Sequence, residues 1–425
     1  NNKERDEKFL KSWLKKKISI TTSTVVSFLI TGAIGGGAAY GAGNKAGTGG
    51  NNNSVAWGQG SSVDNDSVAV GANARAVSAS GGNNPTVTSK GVAIGNNAKA
   101  EGSISIGDSA SSTHFGVAVG YKAGVQNTTT GASFSNVTIG ANTRVGVQGT
   151  QAAQGIAIGS GIQAHEGAWA KGDQSISIGA NTTASGDSSI AIGGDDLLSV
   201  SAKTSSYSDA RFDKNGNKIG GNSNNTASIN NIFNTLTGRG TILHQGIGTD
   251  GKFYTAWRNT ESGQGGVALG VKSISGDIAL AIGTFSEATG TNSVAIGTGA
   301  QTPQSGAVAI GGGSTTNGLQ GRQITDADIT LTDGTTMALT NFAGASGVLE
   351  GSMVSFGKAG NERQLKHIAP GEVTATSTDG INGSQLFAVA KKLGDDISKF
   401  KYVSIKSNDA GNKLNDGATA NNAIA

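Results

Sequence analysis

Ser67-Val68-Ala69-Val70-Gly71 is the phrase on which the fold turns. It runs small residue, β-branched residue, small residue, large apolar residue, glycine. The same phrase stands at 54–58, 91–95, 103–107, 116–120, 136–140, 155–159, 175–179 and 189–193. After a gap it resumes at 266–270, 279–283, 293–297 and 307–311, which makes thirteen copies. Their closing glycines are Gly58, Gly71, Gly95, Gly107, Gly120, Gly140, Gly159, Gly179, Gly193, Gly270, Gly283, Gly297 and Gly311. In the regular stretches these follow one another at steps of 12, 13 or 14 residues, and loops lengthen the step to 19, 20 or 24.

A period of two inside the phrase places Val68 and Val70 on one side of a strand and Ala69 on the other. Large apolar residues on one face and Ala or Ser on the other suit a strand covered on both sides, one of them tightly. The glycine that follows supplies backbone freedom for a sharp turn. A second semi-regular half comes next, as in Ala72-Asn73-Ala74-Arg75-Ala76 and Asn96-Asn97-Ala98-Lys99-Ala100. Two short strands and two turns fill one period, which reads as one coil of a solenoid with its strands stacked in parallel. Two buried Val or Ile side chains do not offset the backbone entropy of a whole coil. A coil therefore needs the hydrogen-bond ladder to its neighbours, and partner chains against its apolar face.

Composition agrees with such a repeat. Glycine supplies 69 of the 425 residues, with 3 Pro and no Cys. Glycine excess without proline excludes a collagen-like chain, and zero Cys excludes a disulfide scaffold, a Cys-ligated zinc site and a Cys nucleophile. The net charge of +3 is local: residues 1–17 hold seven basic and three acidic residues, so the remainder is nearly neutral. No basic stripe is apparent for a phosphate backbone to follow, and a nucleic-acid partner is not expected. The basic start leads into an uncharged span, 18–44, with Val25, Val26, Phe28, Leu29, Ile30 and Ile34 at its centre and small residues after it. These are the three parts of a secretory signal peptide, expected over 1–43 with cleavage near Gly41 to Gly43.

The phrases over 54–193 and 266–311 closely resemble the head repeats of trimeric autotransporter adhesins, the YadA-like family. The resemblance implies an all-β fold: a trimeric, left-handed parallel β-roll head, with a neck leading into a short α-helical coiled-coil stalk. It implies head repeats over 44–193 and 266–313, with an insertion at 194–265 between them. The stretch 354–386 resembles the family's neck, on Asn361, Glu362, Arg363, Gln364, Leu365, His367, Ile368, Ala369, Gly371, Asp379, Ile381, Asn382, Gln385 and Leu386. Interchain polar contacts are implied for Asn361, Arg363, Gln364, His367, Asp379, Asn382 and Gln385. Leu386, Val389, Leu393, Ile397 and Phe400 follow at steps averaging 3.5 residues, a helix seam buried against other helices over 387–401, which Gly394 interrupts. The segment 402–425 reads as the start of a further head, cut short. The family's membrane anchor, a β-barrel of three chains, has no counterpart in the alternating pattern after residue 400 and is expected outside this chain.

Two stretches depart from the repeat. The insertion at 194–265 is rich in aromatics, among them Phe212, Tyr254 and Trp257, which are the candidate ligand-contacting residues. Within it, Asp213-Lys214-Asn215-Gly216-Asn217-Lys218 reads as a hairpin turn, and departs from the spacing of a calcium loop. Residues 229–236 suit a short helix with Ile229, Ile232, Phe233 and Leu236 on one face. The insertion either projects to meet a ligand or caps the roll. The second stretch, within 314–353, alternates from Ile324 to Leu331 before the turn signal Thr332-Asp333-Gly334-Thr335 and suggests a hairpin shielding the end of the roll.

No catalytic, metal or cofactor residue is assigned. His114, His165, His244 and His367 have no ligand spacing, and the glycine phrases are not phosphate loops. Asp195-Asp196 reads as a solvent-facing pair. A left-handed β-helix acyltransferase repeats every six residues and fits less well, and a non-adhesive exported fibre is the other alternative. The expected function is that of a bacterial surface adhesin, a homotrimer bound to host matrix, host cells or other bacteria. N-terminal sequencing of the exported protein is expected to place its first residue after Gly35, near Gly41 to Gly43.

Overall fold

The computed structural model describes residues 54–398, apart from 65, 82–83, 126–133, 148–151, 164–165, 196, 241–245, 248–252 and 255–258. The expected leader, Trp257, Phe400 and the segment 402–425 lie outside the described residues. Two compact units divide the chain. One runs to Gly318 and includes Val354–Lys358; the other holds Leu319–Met353 and the residues from Ala359.

In the first unit each of the thirteen phrases is a three-residue strand, and all of them stack in one parallel sheet. The register is strict. Val68, Ala69 and Val70 face Val92, Ala93 and Ile94, which in turn face Ile104, Ser105 and Ile106. A fourteenth strand, Val354–Ser355, closes the series by pairing with Val308 and Ala309. The second half of each coil builds a second parallel sheet of eleven strands, from Ser62–Val63 to Glu287–Ala288, which single bridges extend to Gln301 and Thr315. Two parallel sheets joined coil by coil form a β-roll.

Neither interruption breaks the ladder. Ile190, Ala191 and Ile192 pair directly with Val267, Ala268 and Leu269 across the insertion. Thr260–Ser262, which the sequence reading leaves inside 194–265, is already a strand of the second sheet and pairs with Thr182–Ala184. Its Thr and Glu side chains lack the apolar signature of a phrase, so sequence pattern alone does not reveal it.

The interior is made of small side chains. Ala69, Ala93, Ala118, Ala157, Ala191, Ala268, Ala281, Ala295 and Ala309 on the first sheet are fully buried, as are Ala76, Ala100, Ala170, Ala184 and Ala288 on the second. Where Ser or Thr replaces Ala, hydroxyls pair across the gap: Ser105 Oγ lies 2.6 Å from Ser112 Oγ, and Ser177 Oγ 2.8 Å from Thr182 Oγ1. A buried hydroxyl needs such a partner. The Val and Ile residues treated above as buried point the other way. Not one of the large residues flanking the middle position is buried in the single chain, and Ile104 and Ile106 are 40 % and 38 % exposed. The tightly covered side of the strand is thus the small-residue side, and the apolar side is the one the single chain leaves for partners. Only the small residue fits between sheets held this close.

The closing glycine has two reasons to be glycine. At Gly270 φ is +132°, and a Cβ there would lie 2.6 Å from the Gly283 carbonyl oxygen of the next coil. The first reason is a backbone conformation that L-residues avoid; the second is backbone-to-backbone stacking with no room for a methyl. Two residues later most coils turn again through a left-handed residue, among them Asn73, Asn97, Ser109, Lys122, Asn142, Asn181, Lys272 and Phe285. Asn is well suited to that region.

Residues Asp326–Thr330 and Thr336–Thr340 in the second unit form the antiparallel hairpin read from the sequence. Asp333 sits in its turn and accepts hydrogen bonds from the Thr335 hydroxyl and N–H, which hold its carboxyl below the usual carboxylate range. Gly270→Ala is expected to cost at least ~2 kcal/mol of stability, against about 1 kcal/mol for Gly216→Ala, which is also left-handed but meets nothing within 4 Å. Chemical denaturation of the two variants checks the difference.

Candidate functional site

The insertion leaves the roll after Ile190–Ile192 and folds into two parts. Its outer part is a pair of ladders. Thr204–Tyr207 pairs antiparallel with Asn225–Ser228, and Arg211–Phe212 with Lys218–Gly220. The tight turn between the latter is the expected hairpin. Asp213 Oδ1 accepts from the N–H groups of Asn215 and Asn217, both at 2.8 Å, and the Asn217 side-chain amide donates to Oδ2. These bonds, the Asn217 side chain first, hold the Asp213 carboxyl below its ordinary range. Phe212 and Ile219 stand exposed on this hairpin, at 58 % and 68 %. Phe253–Tyr254 pairs with Gly246–Ile247.

The inner part is helical. α1 (Leu198–Ser201) is one turn, and α2 (Ile229–Thr237) lies over the residues that helical spacing predicts. Ser228 caps α2 by accepting from the Asn231 N–H, and Gly238 ends it in a left-handed conformation. Both are standard helix stops with a physical basis: one supplies an acceptor to an orphan N–H, the other reverses the chain without a Cβ clash.

The helix is not free of the roll. Phe233 is buried with Leu197 and Phe285, and Ile229 and Val271 pack around them. The rings of Phe233 and Phe285 lie 6.0 Å apart. A Cβ on Gly299 would come within 3.2 Å of the Phe233 ring, and one on Gly313 within 2.6 Å of Thr237 Cα. At these two turns α2 therefore occupies the space that a side chain would take. Arg239 extends the contact, pairing with Glu287 at 2.9 Å and donating to the Gly299 carbonyl. Lys358 Nζ donates to the Thr237 carbonyl at the end of α2. The insertion therefore both clasps the roll, through α2, and presents an exposed hairpin.

On the same turn edge lies a cavity of about 480 Å³, lined by Tyr121, Ala141, Ile162, Glu166, Asn181 and Asp195. Glu166 spends a carboxylate oxygen on the N–H groups of Ile162 and Gln163. Asp195, read from sequence as solvent-facing, is buried and accepts from the Asn181 amide at 2.8 Å. Coil stacking brings residues 14 apart together, which neighbour-by-neighbour reading does not anticipate. Among the described residues no group of His, Asp and Glu is arranged to hold a metal.

In the neck segment, three residues expected at chain–chain contacts have partners within the chain. Asp379 accepts from the Glu372 N–H, Asn382 donates to the Ile368 carbonyl, and Gln385 both accepts from the Gly371 N–H and donates to its carbonyl. Asn382 and Gln385 also form a reciprocal capping box at the start of α3 (Gly383–Ser398). Asn361, Arg363, Gln364 and His367 are exposed on the chain by itself. Leu386, Val389, Leu393 and Ile397 lie on α3, all more than half exposed, and the helix passes through Gly394 without a break.

The comparisons agree with this geometry. The family pattern of the YadA head domain repeat matches twice, over 170–195 and 275–300. Residues 170–195 and 275–300 are YadA head domain repeats. Both matched windows contain phrases of the repeat, from the coils on either side of the insertion. Solved structures also match the chain, among them one described as the C-terminal YadA-like domain of a Burkholderia pseudomallei protein. It is 22 % identical and covers 47 % of this chain and 72 % of that one, with a TM-score of 0.20, so no structural argument is drawn from it. No curated protein matches the chain.

Phe233→Ala is expected to cost about 3–5 kcal/mol locally, releasing α2 while the ladder of the roll persists. Hydrogen exchange checks this: amides of 229–237 should lose protection and those of 267–269 and 280–282 should keep theirs.

Proposed function

We propose that this YadA-like head is the binding part of a trimeric autotransporter adhesin displayed on a bacterial surface. The observation that carries the reading is the unburied stripe of the first sheet. Two columns, nearly all Val, Ile and Leu, run along the roll in register, and the described residues bury none of them. An apolar ribbon of that length facing water is unfavourable, and other copies of the same stripe match it in shape and length. Three copies around a common axis, in the left-handed sense of the family, cover it. The same logic applies to α3, whose Leu386, Val389, Leu393 and Ile397 form a seam that the described residues leave exposed. The role of Asn361, Arg363, Gln364 and His367 in this reading is to bond between chains in the neck.

Binding by such a fibre rests on many weak contacts multiplied by three chains and many copies on a cell, so that avidity exceeds single-site affinity by roughly 10²–10⁴. The exposed hairpin of the insertion, with Phe212 outward, is the first candidate for contact with matrix proteins, host cells or other bacteria. The chemistry of the head gives no reason to assign catalysis.

Light scattering is expected to give the mass of three chains, and Ile282→Asp, which sets a charge on the stripe, is expected to lower the mass toward one. A monomer for the unaltered protein sinks the assembly. Purified head with and without the hairpin is then tested on collagen, fibronectin, laminin, saliva-coated surfaces and partner bacteria. Loss of binding with the hairpin supports its role. Unchanged binding removes that role, and no binding to any surface favours a non-adhesive fibre.

A further inference from the structure

The outward face of the second sheet carries a feature that adhesion by the insertion does not use. In register along it stand Lys99, Ser111, Gly124, Arg144 and Trp169, one from each of five successive coils. The Arg144 guanidinium carbon lies 4.0 Å from the centre of the Trp169 ring, and Lys171 Nζ lies 4.4 Å from the same centre. Trp169 is held in place by its own hydrogen bond, Nε1 to the Gly146 carbonyl at 2.8 Å. Two cations thus share one indole.

Among the described residues, no carboxylate pairs with Arg144 or Lys171. Arg144 Nε is buried and makes no hydrogen bond, and burial lowers the Arg144 pKa from its ordinary value. The cation–π contact steadies the two charges but supplies no acceptor for their N–H groups. Elsewhere on this face the protein does pair its charges: Arg75 with Glu101 at 3.1 Å, and Arg239 with Glu287. The arrangement is a pre-positioned guanidinium fork and an ammonium with acceptors missing.

We propose that this face of the roll is a binding site for an acidic glycan, whose carboxylate or sulfate groups bridge Arg144 and Lys171 and reach along the row to Lys99. At about 4.8 Å per coil the row from Lys99 to Trp169 is about 19 Å long and straight, which suits a linear polyanion. A peptide is the poorer fit. Every strand on this row is paired on both sides, so no sheet edge is open for a peptide to join, and affinity must come from side chains alone. A nucleic-acid strand needs free aromatic faces on which to stack its bases, and Trp169 is already engaged by the two cations. Glu261, two coils beyond Trp169, bounds the row with the opposite charge.

The test uses the full chain and immobilised heparin, which bears sulfate and carboxylate, beside hyaluronan, which bears carboxylate alone. The unaltered protein is expected to bind heparin, more weakly as salt is raised. The double variant R144Q/K171Q is expected to bind about tenfold or more weakly, with a shallower salt dependence. K391Q/K392Q removes the same charge from exposed residues of α3, off its apolar seam, and is expected to stay within about twofold. Heparin is expected to quench the protein's fluorescence, and W169F to lose that quench. Equal thermal stability of the variants excludes loss of fold. Binding to hyaluronan as well as heparin assigns the carboxylate; binding to heparin alone assigns the sulfate. Equal loss in both double variants, binding to neither glycan, or equal binding to polyglutamate or single-stranded DNA overturns the proposal. The site lies within one chain, so light scattering on the same samples separates its failure from failure of the trimer.

Discussion

From one coil to the next, the glycine that closes a phrase donates its N–H to the residue before the preceding closing glycine. Gly270 donates to Ile192, Gly283 to Leu269 and Gly297 to Ile282, each at 2.8 Å. This bond, with the parallel ladder around it, is the constraint from which the rest of the roll follows. It sets the distance between coils, and at that distance the backbones stack too closely for a side chain at the glycine. It also keeps every position of the repeat above its equivalent, so that the chain becomes a set of straight rows. A mutation at one glycine therefore acts on two coils, and a choice of residue type repeated along the sequence becomes a continuous surface.

The rows differ in character because the two sheets face different surroundings. Between the sheets run small residues, whose modest apolar burial is shared over many coils rather than concentrated in one core. The outward row of the first sheet is wholly apolar and that of the second carries most of the charge, including Arg75, Lys99, Arg144, Glu261 and Glu287. A solenoid of this kind separates assembly from recognition by construction: one outer face suits self-association, the other suits partners from solution.

Because the ladder closes across interruptions, long excursions cost the roll little. Ile190–Ile192 meets Val267–Leu269 and Val308 meets Val354 as though nothing intervened. The price of closing such loops rises only slowly with their length. The excursions are then free to differ: one returns a helix to lie on the turns at Phe285, Gly299 and Gly313, while the other forms a hairpin in the second unit.

Much of this was legible in the residues themselves. Thirteen phrases with period two announced parallel strands, the glycines announced their ends, and Ile229, Ile232, Phe233 and Leu236 announced a helix. Local chemistry suffices for these, because strand alternation, turn preference and helical spacing act over a few neighbours. What the tertiary structure decided was which side of each strand faces inward. Alternation says that Val68 and Ala69 point apart but not which is covered; that depends on how near the second sheet comes, and only Ala, Ser or Thr fits. The same holds for Asp195 beside Asn181, for Thr260–Ser262 within the ladder, and for Arg144 over Trp169. Each of these joins residues a coil or more apart, and the loops between coils vary in length. Their meeting is set by the stacking of the roll, a property of the whole chain that no local stretch of sequence contains.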